Sequence, residues 1–223
     1  MKLPRGKMTN ALAVSATVLF VILWATDFIN SAAVLGGFIP LRVTDAAAYL
    51  ALGGPENATP VWLTPLTATL IHASWYHLGF NLLMLIFCGR QVEHVTGPWL
   101  LLLLYAVGAY AAAGAEWVLG MHSPSPMVGA SGAISALLGT YALLYSRQDV
   151  RAVGPFSASV VRLAWLALAW TGVQVLIGLA MRGMNGDLGR IAVGAHIGGF
   201  IAGLLLTRPV LKLRFKAQFV DMP

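Results

Sequence analysis

The sequence predicts an all-α polytopic membrane protein with six apolar helices. Three observations carry that reading. Of 223 residues, 58% are hydrophobic and only 10% are charged, against about 45–50% and about 25% in ordinary soluble domains. Mean hydropathy is +0.78. The apolar residues come in runs near the ~20 residues that a helix needs to cross a bilayer, not in the alternation of an outer-membrane barrel. This composition excludes intrinsic disorder, a disulfide scaffold and a nucleic-acid-binding domain as main readings. Cys88 is the sole cysteine, so no internal disulfide forms.

The first span runs from about Thr9 to Ile29. Its basic start also fits a signal peptide, with Ser31-Ala32-Ala33 as a poor cleavage site. The apolar run passes Trp24 and resumes after Asp27, which favours a retained helix. The connection over 30–65 contains Pro40, Pro55, Pro60 and Pro65. It is too apolar for a flexible linker and reads as an interfacial loop, with a short helix near Ala46–Leu52 lying on the outer membrane surface. The second span runs from about Leu66 to Cys88 and the third from Pro98 to Leu119. The fourth, Ser131 to Tyr145, is the shortest and is set off by Ser123, Pro124, Ser125 and Pro126. The fifth covers Val160 to Met181 and the sixth Ile191 to Thr207. The chain, 1–223, reads as a single membrane domain.

Net charge is +6 and the pI is about 9.8. With the N-terminus inside, Lys2, Arg5, Lys7, Arg90, Arg147, Arg151, Arg162, Arg208, Lys212, Arg214 and Lys216 fall on the cytoplasmic side. Arg42, Arg182 and Arg190 fall outside. This follows the positive-inside rule. The basic charge therefore reports topology, with some attraction of Lys212–Lys216 to anionic lipid, and no nucleic-acid partner is expected. Both termini are expected in the cytoplasm, and the short basic N-terminus suits a bacterial inner membrane.

Ionisable and polar residues inside a membrane are costly and are functional candidates by default. The second span carries His72, His77 and Asn81. The fourth opens with Gly129-Ala130-Ser131-Gly132, and the sixth carries His196 within Gly194-Ala195-His196-Ile197-Gly198-Gly199. These three spans run in the same direction, from outside to inside, so the clusters share a depth near the external surface. His77 and Asn81, four apart, share a helical face, whereas His72 lies about 140° round. Ala195, Gly199 and Gly203 form a small-residue stripe that invites close helix contact. The fourth span offers Gly132, Ser135, Ala136 and Gly139 in return. Packing of the two would bring His196 onto Ser131.

A serine beside a histidine has a specific chemistry. The imidazole takes the hydroxyl proton as the oxygen attacks a carbonyl, then returns it to the leaving amine. Asn81, His77 and the N–H of Ser131 are candidate donors to the oxyanion. Asp27 and Glu116 belong near the outer surface, but nothing in the sequence sets either beside His196, so a dyad is expected. His72 and His77 are five apart with no carboxylate partner, which does not suit a metal. Blander readings exist. Ser131 also fits a helix N-cap, and His196, His77 and Asn81 also fit interhelical hydrogen bonding.

Gly129-Ala130-Ser131-Gly132, the His72-x4-His77-x3-Asn81 pattern and Gly194-Ala195-His196 together resemble the rhomboid family of intramembrane serine proteases. The resemblance covers roughly residues 9 to 207. It implies a six-transmembrane-helix rhomboid-like bundle, with Ser131 as nucleophile and His196 as base. It implies His77, Asn81 and the Ser131 N–H as the oxyanion hole, His72 as a supporting residue, and Gly129 and Gly132 flanking the nucleophile. It further implies transmembrane protein substrates entering from the bilayer beside the fifth span and the Arg182–Arg190 loop, a small residue before the cut, and no cofactor or metal. Glu93 would have a structural role in a turn after the second span. Two departures stand out. Many members have a tyrosine one turn after the nucleophile, where this chain has Ser135. Many have a Trp-Arg pair before the second span, where Trp62 is followed here by Leu63 and Thr64. The expected function is an intramembrane serine endopeptidase; the alternative is a non-catalytic rhomboid-like binder or chaperone of membrane segments.

Overall fold

A computed structural model of the chain describes residues 3–145, 150–182 and 192–220. Lys2, Arg147, Arg190 and Ile191, and with them most of the Arg182–Arg190 loop, lie outside the described residues.

The first span forms α1 (Lys7–Ala25). The Glu93 carboxylate sits at its start and accepts from the N–H of Met8 (3.0 Å), the N–H of Thr9 (2.8 Å) and the Thr9 hydroxyl (2.7 Å). Those N–H groups are donors that a helix leaves unpaired at its N-terminus, and a carboxylate there complements the helix dipole. Glu93 thus joins the first span to the third apolar segment's approach. Glu93→Ala is expected to lower stability by about 2 kcal/mol, with Glu93→Gln recovering part of it. Thermal unfolding in detergent measures both, and an unchanged midpoint would count against the contact.

The 30–65 connection is more structured than one short helix. It carries α2 (Ile29–Gly36), α3 (Pro40–Thr44) and α4 (Ala46–Ala51), the last capped by Asp45, whose side chain accepts from the N–H of Ala48 at 2.9 Å. Arg42 anchors this region. Its guanidinium donates to the carbonyl of Thr59 at 2.9 Å and lies over the Tyr49 ring. Tyr110 donates to the carbonyl of Trp62 at 2.9 Å. The anchoring that a Trp-Arg pair would supply comes from other residues.

The second span departs most from expectation. Instead of one helix from Leu66 to Cys88, α5 (Thr64–Thr67) and a 3-10 turn at Ala68–Leu70 precede a break, and α6 (Trp75–Met84) restarts at an angle of 103°. Ser74 causes the restart: it is extended, and its hydroxyl accepts from the N–H of His77 at 3.2 Å as an N-cap. Ile71 and His72 are buried in the break, and non-helical backbone at membrane depth is tolerated where protein surrounds it. The Gly89–Glu93 stretch is not a turn either. Leu85–Gly89 is π-helical and runs straight into α7 (Arg90–Thr96). Gly89 lies so close to α1 that a Cβ would stand 3.0 Å from Thr9 Cγ2.

Next come α8 (Pro98–Leu119), α9 (Ser131–Tyr145), α10 (Ala158–Arg182) and α11 (Val193–Val220). The sixth helix runs well past the expected end at Thr207 because Pro209 is accommodated inside it. Among the described residues four helices, α1, α8, α10 and α11, are long and apolar enough to cross a membrane, and the bent second span, taken as one, makes a fifth. The fourth span, α9, has 15 residues. At 1.5 Å per residue that is about 22 Å, short of the ~30 Å hydrocarbon core. Its first ten residues are largely buried, so α9 is walled by other helices and has little lipid to match.

Small residues let α8, α9 and α11 approach closely. A methyl built at Gly199 falls onto the carbonyl of Gly132, one at Gly203 onto the carbonyl of Ala136, and one at Gly139 onto the carbonyl of Phe200. The expected stripe is thus the α9–α11 seam. On the other side, Gly108 faces Ala136 and Gly132 faces Ala112. Asn10 with Arg90, Gln91 with Tyr145 and Gly97 with Arg214 meet at one end of the bundle, so these segments from five parts of the chain share a level.

Candidate active site

The segment entering α9 is pinned on both sides. Phe38 and Met127 exchange backbone hydrogen bonds at 3.0 and 2.8 Å, and the N–H of Gly129 donates to the carbonyl of Ala68 at 2.8 Å. Gly129 has φ +107, a conformation that suits glycine. A Cβ there would also lie 2.5 Å from Cε1 and Nε2 of His77. Glycine therefore both turns the chain into α9 and leaves room for the His77 ring.

Ser131 is the first residue of α9. Its hydroxyl lies 2.8 Å from His196 Nε2, a direct hydrogen bond rather than a cap of its own helix. Among the described residues none accepts from the N–H of Ser131, as expected for a donor in a first helical turn. His196 is the fourth residue of α11 and His77 the third of α6. Three helix N-termini thus meet at the site, and their aligned peptide dipoles favour negative charge there.

The remaining expected residues take distinct places. Asn81 is buried; its Nδ2 donates to the carbonyl of His77 at 2.8 Å, while Oδ1 has no partner. The amide nitrogen carries a second hydrogen. The N–H of Ala73 approaches His77 Nδ1 at 3.4 Å. That assigns Nδ1 as acceptor and Nε2, beside Gly129, as the donor. His72 is 0% exposed, neither ring nitrogen has a hydrogen-bond partner, and its ring meets that of His77 edge-on at 5.2 Å between centroids. A continuous helix would have turned His72 away; the break at 71–74 turns it back. Gly132 stands against Ala112 of α8 and Ala195 of α11.

A cavity of about 160 Å³ opens over Ser131 and His196. Asn81 lines it; His77 and His72 do not. Phe80 and Met84 of α6 and Trp170 of α10 add apolar walls.

Contacts at and beside His196 extend what the sequence showed. Gln174 of α10, 4% exposed, sets its Oε1 2.9 Å from His196 Nδ1. Glu116 of α8 accepts from the N–H of Ala195 at 3.3 Å, so this carboxylate caps α11 one residue before the histidine, where the sequence alone set nothing beside it. Gln174 is the lone amide side chain in a largely apolar helix, and a polar side chain in a membrane helix is the signal that could have found it.

Comparison with known proteins bears on this arrangement. The rhomboid domain family matches residues 60–213. The rhomboid protease GluP of Bacillus subtilis (strain 168) is 32% identical over 163 residues, covering 72% of this chain and 29% of that protein. The chloroplastic rhomboid-like protein 11 of Arabidopsis thaliana is 29% identical over 153 residues, 66% of this chain and 52% of its own length. The rhomboid protease GlpG of Pectobacterium atrosepticum is 32% identical over 139 residues, 61% of this chain and 44% of that one. The chain thus spans between 29% and about half of the length of these relatives. The matched region holds every segment that converges on the cavity, the apolar helices make this an integral membrane protein, and the chain belongs to the rhomboid family.

Proposed function

We propose that this protein is an intramembrane serine endopeptidase, with the chain acting as one membrane domain on transmembrane segments of other proteins. The observation that carries the reading is the 2.8 Å approach of Ser131 Oγ to His196 Nε2 beneath an open cavity. His196 takes the Ser131 proton as the oxygen attacks a peptide carbonyl, and later protonates the leaving amine. The Ser131 N–H, the second hydrogen of Asn81 Nδ2 and the Nε2–H of His77 stabilise the oxyanion, helped by the helix N-termini around it. His72 supports His77 by packing against its ring. Helical backbone is unreactive while hydrogen-bonded, so segments with local helix-breaking residues are the preferred substrates. The basic residues at the Arg90–Arg214 end of the bundle support cytoplasmic termini, and the bacterial sources of the GluP and GlpG relatives support a bacterial inner membrane as the location.

Asn81→Ala is expected to lower kcat by about 10²–10³-fold, the loss typical of one oxyanion donor, with the protein still folded; steady-state cleavage kinetics measure it. The reading itself is tested by reconstituting the protein with a single-span substrate in liposomes and by labelling with a fluorophosphonate. Cleavage together with labelling at Ser131 supports it. Absence of both, in folded protein, would transfer the weight to a non-catalytic binder of membrane segments.

A further inference from the structure

We propose that Gln174 is a positioning residue for His196, holding the ring in the tautomer that leaves the Nε2 lone pair turned to Ser131. This rests on the Ser131–His196 reading above and extends it to a third side chain. The two ring nitrogens have separate partners: Gln174 Oε1 stands 2.9 Å from Nδ1, and Ser131 Oγ stands 2.8 Å from Nε2. An amide oxygen accepts and does not donate. The proton of the neutral ring therefore sits on Nδ1. In the other tautomer Nε2–H would donate to the serine and have no lone pair to receive its proton. During attack the Ser131 proton moves to Nε2, the other ring proton stays on Nδ1 and donates to Gln174 Oε1, and the amide dipole faces the cationic ring. A neutral acceptor supplies this more weakly than a carboxylate.

The helix that carries the amide is itself held against α11. Trp170 lies four residues before Gln174 on the same face of α10. Its indole N–H donates to the backbone carbonyl of His196 at 3.2 Å, and its ring stacks on Phe200 at 5.1 Å. Phe200 lies four residues after His196. Two i, i+4 pairs thus clamp α10 to α11 around the catalytic ring. Ser135 offers the histidine nothing in exchange, since its hydroxyl donates to the carbonyl of Ser131 at 2.8 Å. The departure at Ser135 from the aromatic common in the family is answered by Gln174 and Trp170.

The test uses the full chain labelled with ¹⁵N-histidine in bilayers, with His196 assigned by loss of its signal in His196→Ala. The native ring is expected in the Nδ1–H form. Gln174→Met keeps length and removes the oxygen; it is expected to shift the ring toward a tautomer mixture and to lower kcat about 10- to 100-fold at constant KM, less than the ~10⁴ of a fully wrong tautomer. Gln174→Glu keeps an acceptor and is expected to restore the Nδ1–H signal and most of kcat, which a purely structural role would not predict. If Gln174→Met does not fold, the native and Gln174→Glu spectra decide. A native ring in the Nε2–H form, or an unchanged spectrum and kcat in Gln174→Met, would overturn the proposal, as would a loss confined to KM. The tautomer is read without substrate, so a protein that cleaves nothing but shows the Nδ1–H form and its loss in Gln174→Met would fail the protease reading and leave the Gln174 contact standing.

Discussion

Ser131→Ala and His196→Ala are each expected to reduce cleavage of a single-span substrate by about 10⁴-fold or more, and the double variant to be no worse than either. The reason is chemical. Without the hydroxyl there is no nucleophile, and without the imidazole the hydroxyl keeps its proton, so either loss disables the same step. The two variants part company in one respect. Ser131→Ala loses fluorophosphonate labelling altogether, whereas His196→Ala keeps the hydroxyl and labels slowly. Both side chains meet through one hydrogen bond on helices already packed by their neighbours, so both variants are expected to keep their unfolding midpoints within a few degrees. Single-turnover cleavage in liposomes, followed beside thermal unfolding, separates lost chemistry from lost structure. Residual cleavage by Ser131→Ala at more than a few per cent of the native rate would sink the nucleophile assignment.

Gly199→Val is expected to damage the protein from outside the cavity. Even a methyl at Gly199 falls on the carbonyl of Gly132, one residue after the nucleophile. The backbones have no room to absorb it, so α11 must move off α9. Between membrane helices, packing rather than hydrophobic exclusion supplies most of the attraction, and lost contact is not made up by lipid. The Ser131–His196 distance is set across this same seam. Displacement of about 1 Å at a reacting pair can lower rate by about 10²-fold, and a loss of at least that size is expected together with a lower unfolding midpoint. Gly172→Ala on α10 is the control: a Cβ there meets nothing within 4 Å, and activity and stability should hold. Equal behaviour of the two variants would show that the seam does not govern the site.

Much of this was legible in the chain. The third and fourth spans lie where apolar run length set them, at Pro98–Leu119 and Ser131–Tyr145. The small-residue stripes on the fourth and sixth spans named the helices that touch, because only residues without side-chain bulk permit such contact. Ser131 and His196 followed from that pairing. Apolar run length reads the second span as one helix because it measures the free energy of leaving water, and the two pieces on either side of the Ile71–Ser74 break are together apolar enough to pass as one span. The N-cap at Ser74 was the available signal. The sixth helix continues past Thr207, with Pro209 inside it, because apolar run length does not mark where a helix leaves the membrane and goes on.

The residues missed share a cause. Gln174, Glu116 and Arg42 each act on a partner 17 to 79 positions away, and none belongs to a local pattern. Sequence by itself determined that the chain is a helical membrane protein, which helices meet, and which serine and histidine face each other, since these follow from hydropathy, periodicity and side-chain size. The tertiary structure alone decided what holds the histidine: the amide on its Nδ1, the indole on its carbonyl and the carboxylate at its helix start. A polar group inside a membrane protein needs a partner, and which group supplies it depends on where the packed helices bring side chains together.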